Sequence, residues 1–361
     1  MTFRRIDYLE WARTHMGRSR YDLARSNVQG LSREEIGLAL QDVALAGADP
    51  DGLPALRDLL ARRYRVARAN VLITSGATMG IWLACAAVLK EGDQALVEHP
   101  AYEPLLRTAE ERGALVRPLE RRFVRGFQIE LEVLERDINR STRAVLLTNL
   151  HNPSGAATPA EKMQSIGQLA KDHGATVISS EVYLDNAFVD GLAPAATFGP
   201  HMVSIGSLSK VYGLGGLRIG WLVGSEEVVA RAREALDYIE CDLPAPSEAI
   251  AAVALRRMND WAERARGIAR RGFDVVREWL AKREDLSWVE PAGGTVCVVK
   301  LPPAIPAAEL STVLRERHST LVAPGDFFGL RGFLRISVGQ DEEILRAGLK
   351  NIGKAIDQWQ R

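Results

Sequence analysis

Between about residues 70 and 224 the chain alternates short, β-branched apolar runs with longer amphipathic stretches. The runs are VLITS at 71, QALVEHP at 94, ALVRPL at 114, AVLLTN at 144, TVISS at 176, MVSIGS at 202 and IGWLVG at 219. That rhythm predicts an α/β architecture, a mainly parallel sheet with helices on both faces. Several runs end in small or polar residues, Ser75, Asn149, Ser180 and Ser207, as expected where strand C-termini open into a ligand crevice. From Pro244 the pattern changes to one long helical stretch, SEAIAAVALRRMNDWAERARGIARRGFDVVREWLAKRED. Strand-like LSWVEP and GTVCVVKLP follow, then a helix near 307 to 317, strands TLVAPG and FLRISVG, and a last amphipathic helix, DEEILRAGLKNIGKAIDQWQ. The expected division is a large domain over 43–242 and a smaller α+β domain built from both chain ends, 1–42 and 243–361. With no internal repeat and no low-complexity linker, the two should pack closely.

At 361 residues, 47% hydrophobic and 25% charged, the chain is long enough to bury a large core. Lys plus Arg total 46 and Asp plus Glu total 46, so no net field points to nucleic acid or an anionic membrane as the main partner. A small-molecule ligand is the default. The opening MTFRRIDYLEWARTH has no apolar core of signal-peptide length, and nowhere do eighteen apolar residues run together, which points to a cytoplasmic protein without membrane contact. Cys85, Cys241 and Cys297 lie far apart without CxxC pairing and read as reduced thiols. His99, His151 and His173 have no metal-ligand spacing, so no metal is expected; His151 reads as support near Asn152.

Chemistry concentrates in SLSKVYGLGGLRIGW, residues 207 to 221, which puts Lys210 just after a predicted buried strand. Desolvation among apolar and glycine residues lowers an amine's pKa and leaves a neutral nucleophile for a carbonyl. Ser207, Ser209 and Arg218 are donors able to meet a dianionic phosphate, the arginine as a bidentate fork. The plainer reading is a strand-turn-strand with a surface lysine. TSGATMG, residues 74 to 80, joins a strand to an apolar helix, so Gly76, Ala77 and Thr78 offer backbone N–H groups at a helix N-terminus. Alone it would be an ordinary turn. An arginine inside the apolar strand GFLRISVG, Arg335, must find an anion or bear a large desolvation cost.

Together and in this order, the segments resemble fold-type-I pyridoxal-phosphate enzymes of the aspartate aminotransferase superfamily, the class I/II aminotransferases. The lysine segment is similar to the family's S-x-S-K-x(7)-R-x-G signature, and the resemblance runs from about residue 20 to 340. It implies a homodimer with a seven-stranded, mostly parallel sheet in the large domain, pyridoxal 5'-phosphate held by Lys210 as an imine, and amino-acid and 2-oxo-acid substrates. HPAYEP resembles the family's P-x-[YWF] step, which makes Tyr102 the residue stacked on the cofactor ring. TNLHNPSG looks like the N-P-[TS]-G turn, giving Asn152 the ring's phenolic oxygen, a contact shared by Tyr183 of SSEVYLD. Arg335 would clamp the substrate α-carboxylate, with Ser26 and Asn27 of DLARSNVQG as further candidates there.

Two positions depart from the pattern. Ser180 stands where the family keeps an Asp on the pyridinium nitrogen, and each pKa unit of that preference is worth about 1.36 kcal/mol. A weaker electron sink suits elimination or cyclisation better than transamination. Glu181 and Asp185 are the nearby carboxylates, but strand alternation sends Glu181 to the opposite face and Asp185 lies past the turn. Gly47 stands where many relatives place a tyrosine that reaches the partner subunit's phosphate. The favoured activity is amino transfer between an α-amino acid and a 2-oxo acid; the alternative is a lyase or cyclase acting on an amino-acid side chain. A non-catalytic cofactor-binding regulator would need a DNA-binding module, for which the sequence offers no segment.

Overall fold

The computed structural model describes residues 3–39, 41, 43 and 51–359. Helix α1 (Asp7–His15), strand β1 (Tyr21–Asp22) and helix α2 (Arg33–Ile36) lead to α3 (Pro54–Tyr64). The position of Gly47 lies outside the described residues. Then come β2 (Val71–Thr74), α4 (Ala77–Val88), β3 (Gln94–His99), α5 (Glu103–Glu111), β4 (Leu115–Glu120) and α6 (Leu131–Asp137). They are followed by β5 (Thr142–Thr148), α7 (Ala160–Asp172), β6 (Thr176–Ser180), β7 (Met202–Ser207), β8 (Gly220–Val223) and α8 (Glu226–Leu236). The chain closes with α9 (Ala245–Leu255), α10 (Met258–Leu280), β9 (Ser287–Trp288), β10 (Val296–Lys300), α11 (Ala307–His318), β11 (Thr320–Leu321), β12 (Ala323–Pro324), β13 (Phe333–Ser337) and α12 (Glu342–Trp359).

All seven apolar runs become strands of one sheet, ordered β2-β8-β7-β6-β5-β3-β4, in which only β8 is antiparallel to its neighbours. Successive side chains on a strand point to opposite faces, so continuous apolar runs imply cover on both. Leu72, Val97, Leu146, Ile178, Ile205 and Leu222 pack with residues of α4, α5 and α8. Their neighbours Leu96, Val145, Leu147, Val177 and Met202 meet α6 and α7, while Ile73 and Trp221 meet α3 and α9. Each fully buried aliphatic side chain stabilises the fold by roughly 1.5–3 kcal/mol.

Past residue 244 the single long helix suggested by the sequence is two. Arg257 breaks it, the Arg257 N–H falling back on the Ala254 carbonyl at 3.1 Å. The Trp261 indole N–H takes the same carbonyl at 3.1 Å, so the broken end stays satisfied inside the core. A four-stranded antiparallel sheet, β12-β13-β10-β9, packs against α10, α11 and α12. Strand β1 pairs in parallel with β11, Tyr21 beside Thr320 and Asp22 beside Leu321, and Leu23 joins the core of Phe273, Leu334 and Ile336. The first and last parts of the chain therefore share one core. Among the described residues no helix is long and apolar enough to cross a membrane.

Candidate active site

The C-terminal ends of β5, β6 and β7 open onto a cleft of about 220 Å³, closed by the turns before α4 and α5. Ala77, Thr78, Tyr102, Asn152, Ser180, Tyr183, Ser207, Ser209, Lys210 and Arg218 all line it. These residues come from segments up to 141 positions apart, from Ala77 to Arg218. Asn149, expected at the crevice from its place at a strand end, turns away. Its amide exchanges two 3.0 Å hydrogen bonds with the Thr158 backbone, and Thr148 takes the place on the cleft wall.

Lys210 follows β7 in a turn pinned by the Leu208 N–H on Ile219 and the Leu214 N–H on Leu208, each at 3.0 Å. Its Nζ donates to the Ser26 Oγ at 2.7 Å. Burial, and then the charges of Arg335 and Arg218, lower the amine to about 8 from its ordinary 10.5. A lysine so placed is neutral far more often near pH 7 than a surface lysine, which is what attack on a carbonyl requires.

One end of the cleft is built for an anion. Gly76 caps the twelve-residue helix α4 with φ +88°, and a Cβ there would lie 2.5 Å from the Arg218 Nη2. Only glycine leaves the guanidinium room beside the helix N-terminus. Arg218 is itself exposed and held by the carbonyls of Gly215 at 3.1 Å and Ser75 at 3.3 Å. Its remaining donor capacity, the α4 amides and the Ser207 and Ser209 hydroxyls face the same space. The Ser75 hydroxyl, by contrast, is taken by Glu240 at 2.6 Å.

Along the cleft, Tyr102 stands at the start of α5, its hydroxyl bonded with Thr78 and its phenol raised by burial. The Asn152 side chain is buried and its Oδ1 has no partner. Tyr183 is also buried, and its hydroxyl donates to the Ser26 carbonyl at 3.1 Å, a partner the sequence did not announce. Ser180 presents its face to the cleft. Among the described residues no carboxylate lines the same walls. Glu181 points through the sheet to the other side, where it accepts from the Ala195 N–H at 2.7 Å, and burial raises it to about 7. Asp185 is held between Arg63 and the Tyr212 hydroxyl. Neither acid can take the role of the missing aspartate.

Arg335 sits on β13 opposite Val298 and Ala323, only 1% exposed. Its Nη2 donates to the Tyr8 hydroxyl at 2.7 Å and to the Ala24 carbonyl at 2.9 Å, while Nε and Nη1 have no partner. Tyr8 and Phe328 rings flank it at 5.0 and 4.6 Å. A buried guanidinium with two idle donors and no carboxylate bound calls for an anionic ligand. Of the two neighbouring candidates, Ser26 engages Lys210 and Asn27 folds its amide onto the Val28 carbonyl at 2.9 Å.

Behind the cleft lies a buried network that sequence reading missed. The Thr148 Oγ1 accepts from the Asn152 N–H at 2.9 Å and donates to Glu98, whose other oxygen pairs with Arg121 at 2.6 Å. His151 does support this turn: Nε2 donates to the Pro100 carbonyl at 2.9 Å, so Nδ1 accepts from Ser154 at 2.6 Å. Burial and Arg121 keep this imidazole well below its usual range, hence neutral. The ionic partners come from β3 and the residues after β4, too far apart in sequence for any spacing rule to join them.

The site fits pyridoxal 5'-phosphate: an amine of lowered basicity, an anion cradle that a side chain at Gly76 would fill, and an unpartnered Asn152 oxygen between them. Comparison with known proteins agrees. Residues 19–352 match the family described as Aminotransferase class I and II. The arginine–pyruvate transaminase AruH of Pseudomonas aeruginosa is 30% identical over 328 residues, covering 86% of this chain and 83% of the relative. A pyridoxal-phosphate-dependent aminotransferase of Streptococcus suis 89-1591 superposes with a TM-score of 0.94 at 25% identity over 100% of both chains. The pyridoxal-phosphate-dependent cyclase OrfR gives 0.92 at 26% identity over 99% and 98%. Ordered motifs, a seven-stranded sheet and this cleft converge on one conclusion: the chain belongs to the class I and II aminotransferase family and is a pyridoxal-5'-phosphate enzyme.

Proposed function

We propose that the enzyme moves an amino group between an α-amino acid and a 2-oxo acid, with Lys210 as the residue that first holds the cofactor and then moves the substrate's α-proton. The observation that carries this reading is the position of Lys210 Nζ between two cationic ends, Arg218 beside the α4 N-terminus and Arg335 under the Tyr8 ring. A ligand with a phosphate at one end and a carboxylate at the other would satisfy both. When bound, the cofactor supplies a conjugated ring that stabilises negative charge at the substrate's α-carbon. The α4 amides, Ser207, Ser209 and Arg218 hold the phosphate. Tyr102 covers one ring face and the Asn152 amide N–H donates to the ring oxygen, while Tyr183, whose one proton goes to the Ser26 carbonyl, lines the wall beside it. Arg335 binds the α-carboxylate through its idle Nε and Nη1, which orients the α-hydrogen. Lys210, its basicity lowered by burial, is then suited to take that proton and return it. In this reading the catalytic unit is a homodimer, which light scattering of the purified protein would test.

Ser180 favours a second reading. With a hydroxyl and no carboxylate at this wall, the ring nitrogen is not held protonated, and a lyase or cyclase acting on the amino-acid side chain needs less electron withdrawal than transamination. The similarity to a cyclase is consistent with it. One absorbance experiment separates the two. A transaminase loses its yellow colour with an amino donor alone and regains it with a 2-oxo acid. A lyase releases a 2-oxo acid or ammonia without an acceptor, and a cyclase converts its substrate with no acceptor at all. If Lys210→Ala protein binds the cofactor with unchanged colour, the assignment of Lys210 fails.

A further inference from the structure

We propose that Ser26 is a catalytic residue that acts on the reacting nitrogen of Lys210, keeping that amine oriented and partnered whether or not it carries its extra proton. This rests on the assignment of Lys210 above. The contact is direct: Nζ to Oγ is 2.7 Å, across 184 positions of sequence. Ser26 is buried, so bulk water does not offer an equivalent partner from its side. A hydroxyl is both donor and acceptor. While Lys210 is an ammonium, one of its N–H groups donates to Oγ; once that proton has left, the Ser26 O–H can donate to the free lone pair. No bond between heavy atoms is made or broken, and the proton count changes only on Nζ.

The main chain at Ser26 has separate work. Its carbonyl accepts from the Tyr183 hydroxyl at 3.1 Å and from the Thr295 hydroxyl at 2.9 Å. Those bonds fix the segment against the turn after β6 and the residue before β10 without using the side chain. Replacing Ser26 by alanine therefore removes the contact with Lys210 and leaves the two backbone contacts in place. Other charged or titratable groups around the amine are Arg335, Arg218, and the Tyr102 and Tyr183 phenols. Both phenols are raised by burial and stay neutral, and both arginines oppose the ammonium. Asp185 is occupied by Arg63 and Tyr212, and Glu181 lies across the sheet, so neither of these carboxylates competes for the role. Ser26 is thus the one side-chain acceptor that the described residues bring to this nitrogen.

The test uses full-length, cofactor-free protein and pulse acetylation across a range of pH, with the modified Lys210 peptide quantified by mass spectrometry. The ammonium's bond to Oγ is charge-assisted and roughly twice as strong as the one the hydroxyl makes to the neutral amine, so on balance Ser26 raises the amine's pKa and its loss lowers it. In Ser26→Ala the midpoint for Lys210 should fall by about one unit, roughly a tenfold change in its proton affinity, while Ser26→Thr, which keeps Oγ, should stay near the parent value. An unchanged or raised midpoint in Ser26→Ala, or a threonine variant that behaves like alanine, overturns the proposal. A purely structural role would lower the melting temperature with the midpoint unmoved, and that also counts against it. Failure of the Lys210 assignment would look different: borohydride would then fix the vitamin B6 aldehyde to another lysine, whatever the midpoints show.

Discussion

Glu181 adjoins Ser180 in the chain and lies across the sheet from it, which makes Glu181→Gln a test of both geometry and electrostatics. The carboxyl is 6% exposed, Oε1 accepts from the Ala195 N–H, and the Ser204 and Ser179 hydroxyls lie beside it. Burial raises it to about 7, against 4.5 in the ordinary state. The folded chain therefore holds this proton more tightly than the unfolded chain. The stability that comes with that proton is fully present below pH 4.5 and is lost as pH rises through 7. Two and a half units at about 1.36 kcal/mol each give about 3 kcal/mol of destabilisation above pH 8. Glutamine keeps the acceptor, carries no charge and can donate toward Ser179 or Ser204. Equilibrium urea unfolding of cofactor-free protein should show a gain for the variant of less than about 1 kcal/mol at pH 5, growing to about 3 kcal/mol near pH 9. Turnover and cofactor colour should not change. A gain that is flat with pH would refute the placement of the charge; a loss of colour or turnover would mean that Glu181 reaches the cofactor ring after all.

Three further outcomes follow from the cleft. Gly76→Ala forces a Cβ to within 2.5 Å of the Arg218 Nη2 at φ +88°, so cofactor affinity, read by fluorescence quenching, should weaken at least about tenfold; parent-like affinity would remove Arg218 from the phosphate site. Arg335→Gln should lower kcat/KM for α-amino acids about a hundredfold, near 3 kcal/mol. It should leave reaction with an amine lacking the α-carboxylate nearly untouched, and an equal loss for both substrates would contradict the clamp. Ser180→Asp should raise the rate of half-transamination measured by stopped-flow absorbance, and no gain would assign the serine to another reaction.

The large sheet was readable because each of its strands is a local pattern. Buried on both faces, it needs unbroken β-branched runs, and those runs appear in the sequence at 71, 94, 114, 144, 176, 202 and 219. Loop motifs were readable for a related reason: Gly76, Asn152 and Lys210 lie in turns whose local chemistry sets their geometry. What stayed hidden depends on distance along the chain. Nothing near Ser26 foretells that it touches a lysine 184 residues away, and nothing in QALVEHP says that Glu98 meets Arg121 and Thr148. Tyr8, which shares Arg335 with Phe328, lies in an amphipathic helix where an aromatic residue looks like packing alone. The break at Arg257 was invisible because both halves keep helical periodicity, and the capping indole comes from the second half.

The pairing of β1 with β11 also bears on how the enzyme comes into being. During synthesis the seven-stranded sheet and its lysine are complete once residue 223 has emerged, yet the segment carrying Ser26 has no strand to lean on until Thr320 and Leu321 arrive. Arg335 comes later still. A nascent chain thus passes through a stage with Lys210 in place while Ser26 is not yet anchored and Arg335 has not yet been made, and such long-range closures are slow steps in folding. The buried guanidinium of Arg335 is thus among the last parts of the Lys210 surroundings that the ribosome delivers.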